Sequence, residues 1–131
     1  MAQTPVISIV DDDASIRGAT TRLVRLNGFT VHAFTSAEEF LGSPQIEDTS
    51  CLIADVKMPG MSGLDLQRTL LDQGNRTPII FVTAFPEEVK RHRAARAGAT
   101  WVLPKPFDGQ SLIECLRQAL SGEDFGGSGA P

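Results

Sequence analysis

Short, nearly continuous apolar runs alternate along this chain with stretches whose apolar residues recur at helical spacing. Val6 to Val10 is the first run, as expected of a strand buried on both faces, and it ends abruptly in Asp11, Asp12 and Asp13. Ile16, Ala19, Leu23 and Leu26 then share a helical face, with Asn27 and Gly28 supplying a helix end. Phe29 to Phe34 is rich in strand formers. Ser36 and Glu39 have the spacing of a capping box that opens a short helix through Leu41, and 42–50 is a connector. Cys51 to Ala54 is a second buried run ending in an aspartate, Asp55, before the turn-rich 58–63 and a helix over Leu64 to Asp72. Pro78 to Ala84 is the fourth strand. Pro86, Glu87 and Glu88 suit the first turn of a helix to Ala97, with Gly98 as its cap. Trp101 to Leu103 is a short fifth strand, and Asp108 caps a last helix with Leu112, Ile113, Leu116, Ala119 and Leu120 on one face.

Five strands alternating with five helices, each strand too apolar to have a wet face, predict an α/β doubly wound parallel sheet of the flavodoxin-like kind, with helices on both sides. Ligands of such sheets sit at the carboxyl ends of the strands. That rule gathers Asp11, Asp12, Asp55, Thr83 and Lys105 at one edge.

With 131 residues, the chain is expected to form one domain over 4–120 followed by a Gly-rich tail over 121–131, flexible and serving as a tail or linker. It is 41% hydrophobic and 21% charged, as soluble globular proteins are. No apolar run suggests a membrane span, and the first residues lack the pattern of a secretion signal, so a cytoplasmic location is expected. Cys51 and Cys115 have neither CxxC spacing nor a neighbouring histidine, and a reduced, buried role is expected of both. A net charge of −4 argues against direct nucleic-acid binding by this chain. The basic run from Lys90 to Arg96 is read first as a solvated helix face.

Three carboxylates brought together repel one another, and a bound cation relieves them. Oxygen-only ligation suits Mg²⁺, and no histidine or thiolate at this edge points to zinc. A carboxylate attacking phosphorus gives an aspartyl phosphate, and Asp55 is the candidate nucleophile. Lys105 would neutralise charge on the phosphoryl oxygens opposite the metal, and Thr83 would donate its hydroxyl to one of them. Taken singly, each residue has a plainer reading: Asp12 or Asp13 as a helix cap, Thr83 as a strand residue, Lys105 as a solvated side chain. Their joint placement at four strand ends is what favours the chemistry.

The ordered set IVDDD (9–13), LIADVKMPGMSG (52–63), FVTA (81–84) and PKPF (104–107) resembles the receiver domain of two-component response regulators, and within it the FixJ-like branch. The resemblance covers about Thr4 to Leu120. It implies a CheY-like (βα)5 fold and phosphoryl transfer to Asp55 from the phosphohistidine of a sensor histidine kinase or phosphotransfer protein. It implies that Asp12 binds Mg²⁺ directly, Asp11 through water, and that Asp55 and the backbone carbonyl of Lys57 complete the protein's ligands. Thr83 and Lys105 match the family's hydroxyl and lysine, and Lys105–Pro106 is expected in cis. Such a domain is a phosphoacceptor that catalyses only its own phosphorylation and dephosphorylation.

One departure stands out. The family places Tyr or Phe three residues before the lysine, where this chain has Val102, with Trp101 beside it. Either Trp101 acts as the switch through a local shift, or signalling relies on Thr83 and the fourth helix. Lys57 and Phe85, each two residues beyond a site residue, would flank the approach of water and slow loss of the phosphoryl group. The surface of the fourth helix, fifth strand and fifth helix is the expected place for a partner or a second copy of the chain. Two alternatives are a receiver-like docking module that works without phosphorylation and a Mg²⁺-dependent phosphotransferase with an aspartyl intermediate. The latter would need a cap domain and a second acid or base that the sequence does not show. A flavodoxin-like cofactor binder is disfavoured because the strand-end loops carry carboxylates in place of Gly, Ser and Thr.

Overall fold

A computed structural model describes residues 4–94 and 100–121. The strands are β1 (Val6–Val10), β2 (Thr30–Phe34), β3 (Cys51–Asp55), β4 (Ile79–Thr83) and β5 (Thr100–Pro104). Between and after them lie α1 (Ala14–Leu26), α2 (Ala37–Leu41), α3 (Gly63–Asp72), α4 (Pro86–Ala94) and α5 (Gly109–Ser121), with a single 3-10 turn at Pro44–Ile46 in the expected connector. All strand pairs are parallel, in the order β2-β1-β3-β4-β5. This is the doubly wound sheet that the alternation of runs predicted.

The sheet is buried on both faces along its central strands, while the edge strand β2 keeps Thr30 and Ala33 exposed, against the expectation that no strand has a wet face. Ile7, Ile9, Cys51, Ile53, Ile80, Val82, Trp101 and Leu103 pack with Val24 of α1 and with Leu112, Ile113 and Leu116 of α5. Val10, Leu52, Ala54, Ile79 and Phe81 pack on the other side with Ala37 and Phe40 of α2, Leu66 and Leu70 of α3 and Val89 of α4. The alternation of residues between these two clusters follows the two-residue period of a strand. It leaves β3 and β4 buried along their whole length.

Helix ends follow the local chemistry, with one correction. Asp13 caps α1 by accepting from Ile16 N at 3.1 Å, and Asp108 accepts from Ser111 N at 2.7 Å ahead of α5. Ser36 accepts from Glu39 N at 3.0 Å, but the Glu39 carboxylate does not return to Ser36. It takes two donors from Thr35 instead, the backbone N–H at 2.7 Å and the hydroxyl at 2.9 Å. The reciprocal capping box lies elsewhere, between Ser62 and Asp65 at the start of α3. The expected continuation of α4 to Ala97 and its cap at Gly98 lie outside the described residues, as does the tail from 122 onward. No helix among the described residues is long and apolar enough to cross a membrane.

Candidate functional site

Strand register assembles the site. Val10 pairs with Ala54, Asp55 with Val82, and Thr83 with Pro104. The carboxyl ends of β1, β3, β4 and β5 therefore finish nearly level, and the polar residues at those ends share one edge. The crevice opens between β1 and β3, where successive connections leave the sheet in opposite directions, the usual place for a ligand on an open parallel sheet.

One oxygen each of Asp11, Asp12 and Asp55 lies within 4.8 Å of the other two. Asp11 and Asp55 are buried and Asp12 is exposed. Burial raises the Asp11 carboxyl above its ordinary value; the hydrogen bond from Asp13 N–H opposes this, Asp55 and Asp12 add to it, and Lys105 pulls the other way. The Lys105 ammonium stands 3.3 Å from Asp55 Oδ2. Lys105 is anchored through its backbone N–H, which donates to Thr83 O at 2.8 Å, and the Lys105–Pro106 bond is cis. Thr83 is buried, and its Oγ1 accepts from Phe85 N at 2.9 Å, leaving the hydroxyl proton to donate.

The structure thus brings together the five residues gathered by the sequence and excludes Asp13, which serves α1. The donor set is oxygen only, with two acids buried, and fits a hard divalent cation better than a soft one. Lys57 and Phe85 sit together at the rim, the Lys57 ammonium 5.6 Å from the Phe85 ring centroid. Trp101 and Val102 lie on opposite faces of the sheet. Trp101 is buried against the α1 and α5 side, whereas Val102 is half-buried and packs toward α2, α3 and α4.

Four supporting residues escaped the sequence reading. Arg17 donates from Nη1 to the backbone carbonyl of Asp11 at 2.8 Å. Glu38 of α2 accepts from Met61 N at 3.1 Å and holds the loop after Asp55. Gly63 lies so near Asp55 that a Cβ there would overlap the carbonyl oxygen of Asp55. Glu88 pairs with Lys57 at 3.4 Å. Gly63 had a signal, its place in a turn-rich run, and Arg17 lies only six residues from Asp11, whereas the contacts of Glu38 with Met61 and of Glu88 with Lys57 join segments that only the tertiary fold brings together.

A family model for the response regulator receiver domain matches residues 7–117. The chain belongs to this family. The receiver is 42% identical over 115 residues to the response regulator protein TodT of Pseudomonas putida, across 88% of this chain and 51% of TodT. It is 32% identical over 120 residues to the transcriptional regulatory protein FixJ of Azorhizobium caulinodans, across 92% of this chain and 57% of FixJ. The solved structure of the chemotaxis protein CheY4 of Vibrio cholerae matches the receiver fold with a TM-score of 0.81 at 28% identity, covering 90% of this chain and 100% of that one. The receiver spans about half the length of the curated relatives it matches. Its fold is CheY-like, and its relatives are response regulators of two-component systems.

Proposed function

We propose that this receiver accepts a phosphoryl group from the phosphohistidine of a sensor histidine kinase or phosphotransfer protein onto Asp55. An Asp55 carboxylate oxygen bonds to phosphorus as the bond from phosphorus to the donor imidazole nitrogen breaks, and that nitrogen keeps the electron pair. The observation that carries this reading is the surround of Asp55, with the Lys105 ammonium 3.3 Å from Oδ2 and an oxygen of each of Asp11 and Asp12 within 4.8 Å. Phosphoryl transfer asks mainly for positioning and for neutralisation of oxygen charge, and such a surround supports both.

Asp11, Asp12, Asp55 and the backbone carbonyl of Lys57 would hold Mg²⁺, which when bound supplies positive charge to the phosphoryl oxygens. Lys105 holds the opposite oxygen. Thr83 donates its hydroxyl to the new group, and because that bond exists only in the phosphorylated form, it biases the β4–α4 connection toward a second arrangement. The relay then runs through Thr83 and α4. The burial of Trp101 on the opposite face from Val102 speaks against a ring that swings toward α4. Lys57 and Phe85 narrow the approach of water. The chemistry is confined to the receiver's own phosphorylation and dephosphorylation, in the cytoplasm, and the surface of α4, β5 and α5 receives the partner or a second copy.

Intact mass after incubation with a small acyl phosphate and Mg²⁺ tests the central step. One phosphoryl adduct is expected on the wild type and none on Asp55→Asn; no adduct on the wild type, or an equal one on the variant, refutes it.

A further inference from the structure

Phosphorylation of Asp55 changes a carboxylate of charge −1 into an acyl phosphate of charge about −2, so the edge of the sheet gains about one negative charge. Lys105 is already engaged at 3.3 Å from Asp55. The nearby cation with the looser attachment is Lys57. Its ammonium is held 3.4 Å from the Glu88 carboxylate, between side chains 60% and 38% exposed, and rests 5.6 Å from the centroid of Phe85. An ion pair so exposed favours its closed form by less than about fivefold, so a phosphoryl dianion competes well for the ammonium.

The arrangement also joins the parts that a signal must cross. Lys57 follows β3 and its acceptor, Phe85 follows β4 and its hydroxyl, and Glu88 lies in the first turn of α4. Phe85 is bound to the switch hydroxyl as well, because its N–H donates to Thr83 Oγ1 at 2.9 Å. Movement of Thr83 toward a phosphoryl oxygen withdraws that acceptor from Phe85 and loosens the ring on which the ammonium rests.

We propose that Glu88 is a positioning residue that holds Lys57 away from the acceptor in the unphosphorylated protein and yields it to the phosphoryl group, which releases the first turn of α4. The inference rests on Asp55 phosphorylation and adds a second route from the site to α4, one that needs no aromatic ring at Val102. Once exchanged, the ammonium and its stem stand against the phosphoryl group and retard attack of water on phosphorus, the step that returns Asp55 to a carboxylate and frees inorganic phosphate. Glu88 therefore shortens the phosphorylated state by competing for Lys57.

Wild type, Glu88→Gln, Lys57→Ala and the double variant are phosphorylated with a small acyl phosphate and Mg²⁺, and intact mass follows loss of the adduct while amide resonances report α4. Glu88→Gln is expected to lengthen the adduct lifetime about two- to fivefold, the range an exposed ion pair permits. Lys57→Ala should shorten it, and the double variant should behave as Lys57→Ala does, because Glu88 acts only through Lys57. In unphosphorylated Glu88→Gln, the α4 amides should already be shifted toward their positions in the phosphorylated wild type. A full adduct with wild-type lifetime and unshifted α4 amides in Glu88→Gln, or additive effects in the double variant, overturns the exchange and leaves Asp55 phosphorylation standing. Absence of any adduct on the wild type overturns both.

Discussion

Replacing Asp11 by asparagine removes one of three carboxylates packed within 4.8 Å of one another while keeping an oxygen that can accept the Asp13 N–H bond of 2.9 Å. Two unit charges at that separation repel by about 1 kcal/mol in a water-like medium and about 3 kcal/mol at the effective dielectric of a partly buried site. Lys105 offsets part of this, and about 1–2 kcal/mol of relief is expected from the substitution in the absence of divalent cation. For a domain of this size, that corresponds to a rise in Tm of roughly 3–8 °C. The sign follows from linkage. Burial holds the Asp11 carboxyl above its ordinary 3.8, so stability linked to its proton is full below 3.8 and is lost as pH rises through the folded value. Wild type without metal should therefore gain stability on mild acidification, and Asp11→Asn should lose that part of the gain. Thermal unfolding in EDTA and in Mg²⁺, from pH 5 to pH 8, provides the assay. Mg²⁺ should raise the wild-type Tm and leave Asp11→Asn nearly unmoved. A variant less stable than wild type in EDTA, or one that keeps the full Mg²⁺ response, refutes the reasoning.

Three further outcomes follow from packing. Gly63→Ala places a methyl group against the Asp55 backbone carbonyl, with no flexible side chain to give way, and should cost about 1–3 kcal/mol in urea unfolding. A stability equal to wild type would show that the loop yields freely there. Trp101 is the single tryptophan of the chain and is 2% exposed. Its fluorescence should be blue-shifted, poorly quenched by iodide and unchanged by Asp55 phosphorylation, whereas a quenching change on phosphorylation would restore it as a switch residue. Burial pushes the Cys51 thiol up to about 12, and burial also raises Cys115, which is only half-buried. An aromatic disulfide reagent at pH 8 should therefore spare Cys51 until urea is added and label Cys115 first; rapid labelling of both in the folded protein contradicts this packing.

Much of the fold was legible in local pattern, because a strand buried on both faces needs an unbroken apolar run and a covering helix needs apolar residues at its own period. Val6 to Val10, Cys51 to Ala54 and Pro78 to Ala84 could hardly serve otherwise, and the polar residues that close these runs had to lie at strand ends. Parallel topology then implies that Asp11, Asp12, Asp55, Thr83 and Lys105 share a single edge.

What tertiary structure decided was contact across distance. Register made the strand ends level and left Asp13 to α1, although three adjacent aspartates look alike in sequence. The face of β5 separated Trp101 from Val102, since neighbouring residues on a strand point to opposite sides and only the packing of α5 and α4 says which side is which. Glu39 chose Thr35 over Ser36 because two donors outweigh one, and the true capping box fell at Ser62. The pairs Glu38 with Met61 and Lys57 with Glu88 join loops and helices that no periodicity relates. Periodicity carries burial along an element, but it carries no information about which side chain stands opposite another once the sheet is wound.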